Sequence, residues 1–553
     1  MAKRKSQSAR KLPGEARGKG KGKKGKAKGG AARPTRARGK PSAPSPRTAS
    51  QPIGANASQA AKWTPAAGEV GIRVRMYRVG FGDFFLLSLA QDNKQPLHII
   101  IDCGVFKGTS QTGDIGSIEA AVNDMAQTTG GTVALIIMTH RHADHIAGFA
   151  RHADVFKRLK VGGVWMPIWE SEYSPAAMKF QAELTRAASL LQQHFSALGA
   201  AASAQQVTAR QYMENATGEN ASQGGGSNAA ALELLKRGFS GVTPDYYTGG
   251  DQANLPPPLV AAGLTARILG PPPVSDMALM KLMDLKKGVG QYLAAGLEAG
   301  GSDQAVSEPF GAKWVINPFH EPEPGGKTDL ARSALREWVG GRRWMFDDIP
   351  LTRARAARKR MERSLKACQP EAALVAAKQL NSFLNNQSLV VLFEYKGKRL
   401  LFVGDAQAGN WEHWLFDSDT PDKIGIGTVV QDAQQILSSL HFYKVGHHGS
   451  GNATPKVAVQ AMSVHDHPVA SMCSTQEGVY GTEDPDDPSK GTEVPRGPLI
   501  DQLAKQSAFV RSDQIAIELP NNKTVKAAKS VPLPTPGPGL RFVPGPLYVD
   551  CFL

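Results

Sequence analysis

Thr139-His140-Arg141-His142-Ala143-Asp144-His145 follows directly on the apolar run Val133-Ala134-Leu135-Ile136-Ile137-Met138, and the reading of the chain turns on this junction. The apolar run predicts a buried strand, so three imidazoles and a carboxylate fall in the turn that leaves it. Neutral imidazole nitrogens and a carboxylate suit zinc or a related transition metal. Left unpaired in a core, the same groups would be costly. The remaining histidines are scattered, and His98, His152, His194, His413, His465 and His467 are expected to be structural or solvent-facing.

Upstream of the cluster, Ile72, Val74 and Met76 alternate with Arg73, Arg75 and Tyr77, and a Gly80-Phe81-Gly82-Asp83 turn leads into Phe84-Phe85-Leu86-Leu87-Ser88-Leu89. This predicts a strand pair. A third strand, His98-Ile99-Ile100-Ile101, stops at Asp102-Cys103-Gly104, and a helix is expected from Ile118 to Gln127. Far downstream, Ser388 to Tyr395 and Arg399 to Val403 flank Lys396-Gly397-Lys398, which predicts a hairpin. Its second arm runs into Gly404-Asp405, and the short strand Phe442-Tyr443-Lys444-Val445 ends in Gly446-His447-His448-Gly449-Ser450. Three strands thus deliver His or Asp at their C-terminal ends.

Charge is concentrated in one place. Residues 1–50 hold 17 Lys and Arg against a single acid, Glu15, which accounts for the whole formal net charge of +16. The Lys- and Gly-rich stretch from Lys19 to Lys26 has almost nothing apolar to bury, so a disordered tail is expected over 1–62. Its natural partner is nucleic acid, through neutralised phosphates and released counterions; an anionic membrane surface is the rival, and a purely solubilising role the alternative to both. The tail has no apolar run or cleavage site of the secretory kind. No apolar stretch approaches the roughly 20 residues that span a bilayer, and Cys103, Cys368, Cys473 and Cys551 form no C-x-x-C pair. Reduced thiols and a cytoplasmic location are the expectation. At 553 residues the chain has room for two or three average domains, or for one large domain with an insertion. The segment from about 165 to 385 differs in composition from both flanks, and is read as an insertion into a domain spanning 63–553. Within it, Arg353, Arg355, Arg358, Lys359, Arg360, Arg363 and Lys366 predict a basic helix, whose ordinary role is a solvated face.

His140-x-His142-x-Asp144-His145 resembles the first ligand motif of the metallo-β-lactamase fold, and Gly404-Asp405 and His447-His448-Gly449-Ser450 resemble its later ones. More narrowly, Val79-Gly80-Phe81-Gly82-Asp83, Leu400-Leu401-Phe402-Val403-Gly404-Asp405-Ala406 and Lys444-Val445-Gly446-His447-His448-Gly449-Ser450 are similar to the hydrolase domain of ComEC-type competence proteins, which has stand-alone relatives. The resemblance covers about residues 70–160 and 385–520. It implies an α/β fold, a four-layer αββα sandwich with a metal site where strand ends converge. By position, His140 and His142 would bind one metal, Asp144 and His145 a second, and Asp405 would bridge them. Either His447 or His448 would complete the set, and Asp102 would brace the first motif. Many members carry a further His between the first motif and Gly-Asp; here only His152, His194 and His320 are available, and none ends a clear strand.

The implied cofactor is one or two divalent transition ions, zinc or else manganese. Bound metal would lower the pKa of water from about 15.7 towards 7 and polarise the bond under attack. Asp144 would orient the resulting hydroxide, and Lys444, Ser450 and Asn452 are candidate phosphate contacts. A phosphodiesterase or nuclease is the first expectation. A hydrolase of a small ester, lactone or thioester is the second, because a fold does not fix a substrate. A nucleic-acid- or membrane-associated binding protein with a degenerate site is the third.

Overall fold

The computed structural model describes residues 63–106, 116–197, 228–282, 290–291, 380–417, 423–515 and 531–553 apart from scattered positions, with short strands at 517–518 and 524–525. The basic tail, the basic helix around 353–366, Cys368 and His320 lie outside them. The fold is mixed α/β. The strands of its two main sheets, in chain order, are β1 (Ile72–Tyr77), β2 (Phe84–Leu89), β3 (Leu97–Cys103), β4 (Leu135–Ile137), β5 (Val164–Pro167) and β6 (Asp245–Tyr247), then β7 (Thr265–Gly270), β8 (Val390–Tyr395), β9 (Lys398–Phe402), β10 (Phe442–Lys444), β11 (Ala470–Cys473) and β12 (Ala508–Arg511), and last β13 (Arg541–Pro544) and β14 (Tyr548–Phe552).

β1 to β6 build one sheet, and β13 and β14 return to it, giving the order β13-β14-β1-β2-β3-β4-β5-β6. β7 to β12 build a second, ordered β12-β11-β10-β9-β8-β7. Each sheet starts antiparallel and becomes parallel: β3 to β6 run parallel in the first, and β9 to β12 in the second. Parallel neighbours place their C-terminal ends on one edge, and every expected ligand sits beyond such an end.

The alternation read in β1 sends Ile72, Val74 and Met76 into an apolar core shared with Ile99, Ile101, Leu135 and Ile137 from the first sheet and Val391, Phe393, Phe402, Phe442 and Met472 from the second. The two sheets therefore face each other across one core. On the outer face of the first, Leu86, Ile100 and Ile136 pack on helices α1 (Ile118–Thr128) and α2 (Ala143–Arg151). On the outer face of the second, Leu392, Leu401 and Tyr443 pack on Trp411, Ile436, Val459 and Leu499, from helices Ala408–Leu415, Gln431–Ser438, Lys456–Met462 and Gly497–Gln506. Burying these rows at roughly 25 cal/mol per Å² of apolar surface is the main stabilising term. The intervening Arg75 is buried too; its guanidinium grips both carboxylate oxygens of Asp550 at 2.8 and 2.9 Å and reaches Asp124 of α1 at 2.7 Å.

The segment from about 165 to 385 departs from a simple insertion. β6 extends the first sheet beside β5, and β7 pairs antiparallel with β8, so parts of it are integral to both sheets. The strand-like Leu264 to Leu269 thus has a partner more than a hundred residues away, which no local signal reveals. The hairpin forms as expected, with Lys396 (φ 47°) and Gly397 (φ 75°) in its turn. Among the described residues, no helix is long and apolar enough to cross a membrane. Cys103, Cys473 and Cys551 are buried free thiols.

Candidate metal centre

Strand ends position the candidate ligands, and the backbone there is unusual. Four described non-glycine residues have positive φ; besides Lys396 they are Asp102 (55°), His447 (47°) and His448 (54°). Such conformations cost about 1–3 kcal/mol each and persist where surrounding structure holds them. Two glycines let the segments meet. A Cβ on Gly104 would lie 2.1 Å from the Asp144 carbonyl carbon and the His145 nitrogen, and one on Gly404 (φ 53°) would lie 2.8 Å from Thr139 Cβ.

Among the described residues three groups of metal-competent atoms result, each within 4.8 Å: Asp144, His145, Asp405 and His448; His140, His142 and Asp405; and, behind them, Asp83, Asp102 and His145. Asp405 belongs to the first two. His145 Nε2 lies 3.1 Å from Asp405 Oδ1, while His140 Nε2 and His448 Nε2 lie 3.8 and 3.7 Å from Oδ2. His448 Nε2 is also 3.1 Å from Asp144 Oδ2. All of these residues are buried.

The outer ring nitrogens are spent on the protein. His145 Nδ1 donates to Asp102 Oδ2 at 2.7 Å, His448 Nδ1 donates to the Ser474 carbonyl at 2.8 Å, and His140 Nδ1 faces the hydroxyls of Thr139 at 3.2 Å and Ser388 at 3.3 Å. That leaves the inner nitrogens as lone-pair donors. Nε2 of His140, His142 and His145 and both oxygens of Asp405 are buried without a hydrogen bond. Buried polar atoms are nearly always hydrogen-bonded, so a convergent set of unbonded acceptors fits a cation. The donor set, imidazole nitrogen with carboxylate oxygen, is that of zinc and its neighbours.

Protonation tendencies divide the four imidazoles. Burial holds the His140 imidazole well below its usual range and brings His142 down to about 4, so both are neutral at pH 7. Burial opposes the Asp144 charge, but the His448 hydrogen bond and nearby imidazoles outweigh it and hold the carboxyl at about 2. For His145 and His448 burial is likewise outweighed, by Asp405 first and then by Asp102 for His145 and Asp83 for His448, and their proton affinity rises. A cation entering here competes with protons.

The choice between His447 and His448 is geometric. His448 enters the four-residue group, whereas His447 keeps 23 % of its side chain exposed and has Nε2 3.7 Å from Asp405 Oδ2. Amides flank its ring: Asn385 Nδ2 is 3.3 Å from Nε2 and Gln407 Nε2 is 3.5 Å from Nδ1. Asp102 sits behind the first motif, accepting from the Thr139 backbone N–H at 2.7 Å, the Thr139 hydroxyl at 2.6 Å and His145.

Lys444 is not placed as a phosphate contact. It is 2 % exposed; its ammonium pairs with Asp83 and donates to the Gly404 carbonyl at 2.9 Å, bracing the loop that carries Asp405. Ser450 and Asn452 are half-buried beyond the His447-His448 turn, where Ser450 Oγ donates to Asn452 Oδ1 at 2.9 Å. Asp83 was visible only as the end of a turn. It stands 3.7 Å from His145 Nδ1 and 3.5 Å from His448 Nδ1. Sequence reasoning also missed the brace on Arg141, whose guanidinium grips Glu170 through two bonds of 2.6 Å while Asn228 Nδ2 donates to its carbonyl at 2.9 Å. Both partners lie between 165 and 385, and no motif marks them.

A cavity of about 750 Å³ runs along β7, lined by Gly249–Leu255, His413 and Trp414 among others, and contains none of the candidate ligands. The chemistry therefore sits away from it. No protein-family model matches the chain, and no curated protein matches it.

Proposed function

We propose that this chain is a metal-dependent hydrolase of the metallo-β-lactamase fold, a stand-alone relative of the ComEC-type hydrolase domain, and that its bond class is the phosphodiester. The observation that carries the reading is the convergence of unbonded imidazole Nε2 atoms on both oxygens of Asp405, at the ends of parallel strands. Two facing sheets with helices outside are what a four-layer αββα sandwich requires.

In this reading His140 and His142 would hold one ion and Asp144, His145 and His448 another, with Asp405 within reach of both groups. A divalent ion bound here supplies Lewis acidity for the scissile bond and a more acidic water. The chain's own residues then orient the parts. Asp144 would orient the attacking oxygen, and Asp102 and the Ser474 carbonyl, each accepting from Nδ1, would keep His145 and His448 in the tautomer that presents Nε2 to an ion. Hydrolysis adds the water oxygen to phosphorus and returns a proton to the departing alkoxide. Zinc is the first candidate metal and manganese the second. The basic 1–50 stretch favours a nucleic-acid phosphodiester, since neutralised phosphates release counterions, and the buried free thiols favour a cytoplasmic setting.

Elemental analysis of purified protein should find about one to two equivalents of a transition metal. Bis(p-nitrophenyl) phosphate should be hydrolysed, and His140→Ala and Asp405→Ala should each abolish the activity. A preparation that neither holds nor takes up metal would overturn the proposal; turnover of esters or lactones without phosphodiesters would redirect it.

A further inference from the structure

A buried ion pair stands behind the candidate ligands. Lys444 is 2 % exposed and Asp83 1 %, and an ammonium has three N–H groups to place. Lys444 pairs with Asp83 Oδ2 and donates to the Gly404 carbonyl at 2.9 Å. Asp405 Oδ1 lies 3.8 Å from the same nitrogen, and this oxygen is also 3.1 Å from His145 Nε2. Asp405 Oδ2 is the oxygen nearer His140 and His448, at 3.8 and 3.7 Å. The ammonium thus stands beside the oxygen that faces His145, and stops short of it.

Both partners of the pair are held by backbone. The Asp83 N–H donates to the Asp144 carbonyl at 2.8 Å, and the Gly104 N–H donates to the Asp83 carbonyl at 2.9 Å. Just before Asp83, a Cβ on Gly82 would meet the Gly104 carbonyl oxygen at 2.6 Å and that of Asp144 at 2.9 Å. Lys444 ends β10, in register with Phe402 of β9 and Met472 of β11. Asp83 is therefore placed by the turn that enters the first sheet and Lys444 by the middle of the second.

A buried ammonium is costly unless an anion faces it. Burial opposes the charge on Lys444, and Asp83 first and then Asp405 outweigh it. Two carboxylates compete for one cation, and Asp83 makes the closer contact. Without the Asp83 charge the remaining partner is Asp405. An ammonium–carboxylate contact is about 2.8 Å long, so a shift of about 1 Å would bring Nζ onto Oδ1. A metal ion using that oxygen together with His145 would then meet a fixed cation as its rival.

We infer that Asp83 is a positioning residue that holds the Lys444 ammonium off Asp405 Oδ1 and so keeps this oxygen open to the ion of the Asp144, His145 and His448 group, an inference that rests on the metal-dependent reading above. The effect is selective, because Oδ1 faces His145 and Oδ2 is nearer His140. Loss of Asp83 displaces the ion of the His145 group and leaves that of His140 and His142 its ligands.

The test is zinc titration of the metal-stripped, full-length chain against a chromophoric chelator, which resolves successive equivalents. The unaltered chain should take a first and a second equivalent. Asp83→Asn should keep the first and weaken the second at least about tenfold. Adding Lys444→Met removes the rival cation and should return the second equivalent to within about threefold of the unaltered chain. A merely structural role predicts the opposite, since the double variant lacks both halves of the pair. Unchanged affinity for both equivalents in Asp83→Asn overturns the inference, as does a double variant as weak as the single one. So does an unaltered chain that lacks the second equivalent; one that takes no zinc at all rejects the hydrolase as well. If Asp83→Asn does not fold, the double variant, which buries neither charge, must still take both ions, and loss of the second there overturns the role equally. Zinc is read without substrate. This pattern in a chain that turns over no phosphodiester therefore upholds Asp83 and rejects the hydrolase, and turnover by a chain holding only the first equivalent does the reverse.

Discussion

Asp102→Asn changes one atom and should cost the centre a ligand. The carboxylate is 1 % exposed and takes three hydrogen bonds: Oδ1 from the Thr139 N–H at 2.7 Å, and Oδ2 from the Thr139 hydroxyl at 2.6 Å and from His145 Nδ1 at 2.7 Å. An amide keeps an oxygen for the backbone N–H and places NH2 where Oδ2 was. The Thr139 hydroxyl can turn and accept, but His145 Nδ1–H then meets a donor. The imidazole escapes by moving its proton to Nε2, the nitrogen 3.1 Å from Asp405 Oδ1 that faces the shared space. A protonated Nε2 cannot ligate. Losing such a support typically weakens metal affinity by about 10- to 100-fold, or roughly 1.4 to 2.7 kcal/mol. Stability should fall less than affinity, because burial already pushes the Asp102 carboxyl above its usual range and a neutral amide is cheaper to bury. Competition against a chromophoric chelator reads the zinc affinity, and urea unfolding of metal-stripped protein reads the stability. Affinity within about threefold of the parent would show that Asp102 does not set the tautomer.

Three other perturbations probe separate parts of the structure. Gly104→Ala forces a Cβ to within 2.1 Å of the Asp144–His145 peptide and should destabilise by about 1–3 kcal/mol while lowering metal content; an unchanged melting temperature would mean that the first motif yields freely. Burial first, then Arg73 and Arg75, lowers His98 to about 3 from the ordinary 6.5. The unfolded chain therefore takes up the proton first as pH falls. The stabilisation is complete above about pH 6.5 and shrinks towards pH 3, by about 2 kcal/mol at pH 5. A His98→Asn variant that loses as much stability as its parent between pH 7.5 and 5 would assign the acid sensitivity elsewhere. Lys444→Met removes the ammonium paired with buried Asp83 and should cost about 3–5 kcal/mol; denaturant midpoints equal to the parent's would return Lys444 to the phosphate-contact role expected from the sequence.

The junction at Met138-Thr139 was legible because strand periodicity and ligand spacing are both local. So were the hairpin ending in Gly404-Asp405 and the short strand before His447. What stayed illegible depends on distance or backbone conformation. His447 and His448 are adjacent and chemically identical; left-handed φ values at both turn one ring inward and the other to the rim. Asp83 and Lys444 are 361 positions apart, so nothing in either neighbourhood announces the pair. Lys444 beside a histidine pair suggests a phosphate contact until its ammonium is seen facing Asp83. β6 carried no strand signal, and β7, strand-like from Leu264 to Leu269, gave no local sign of its distant partner β8.

β14 lies between β13 and β1, where Val74 is in register with Cys551 and Arg75 with Asp550. During synthesis, β1 and β2 emerge early and can pair at once, but the opposite flank of β1 waits for residues made some 470 positions later. Until then it is an open β edge, able to recruit another chain. Arg75 meanwhile lacks Asp550. A chain stopped between His448 and Asp550 would carry every candidate ligand and still be open along one side. Assembly of the centre and closure of the sheet are thus separated in time by about a hundred codons.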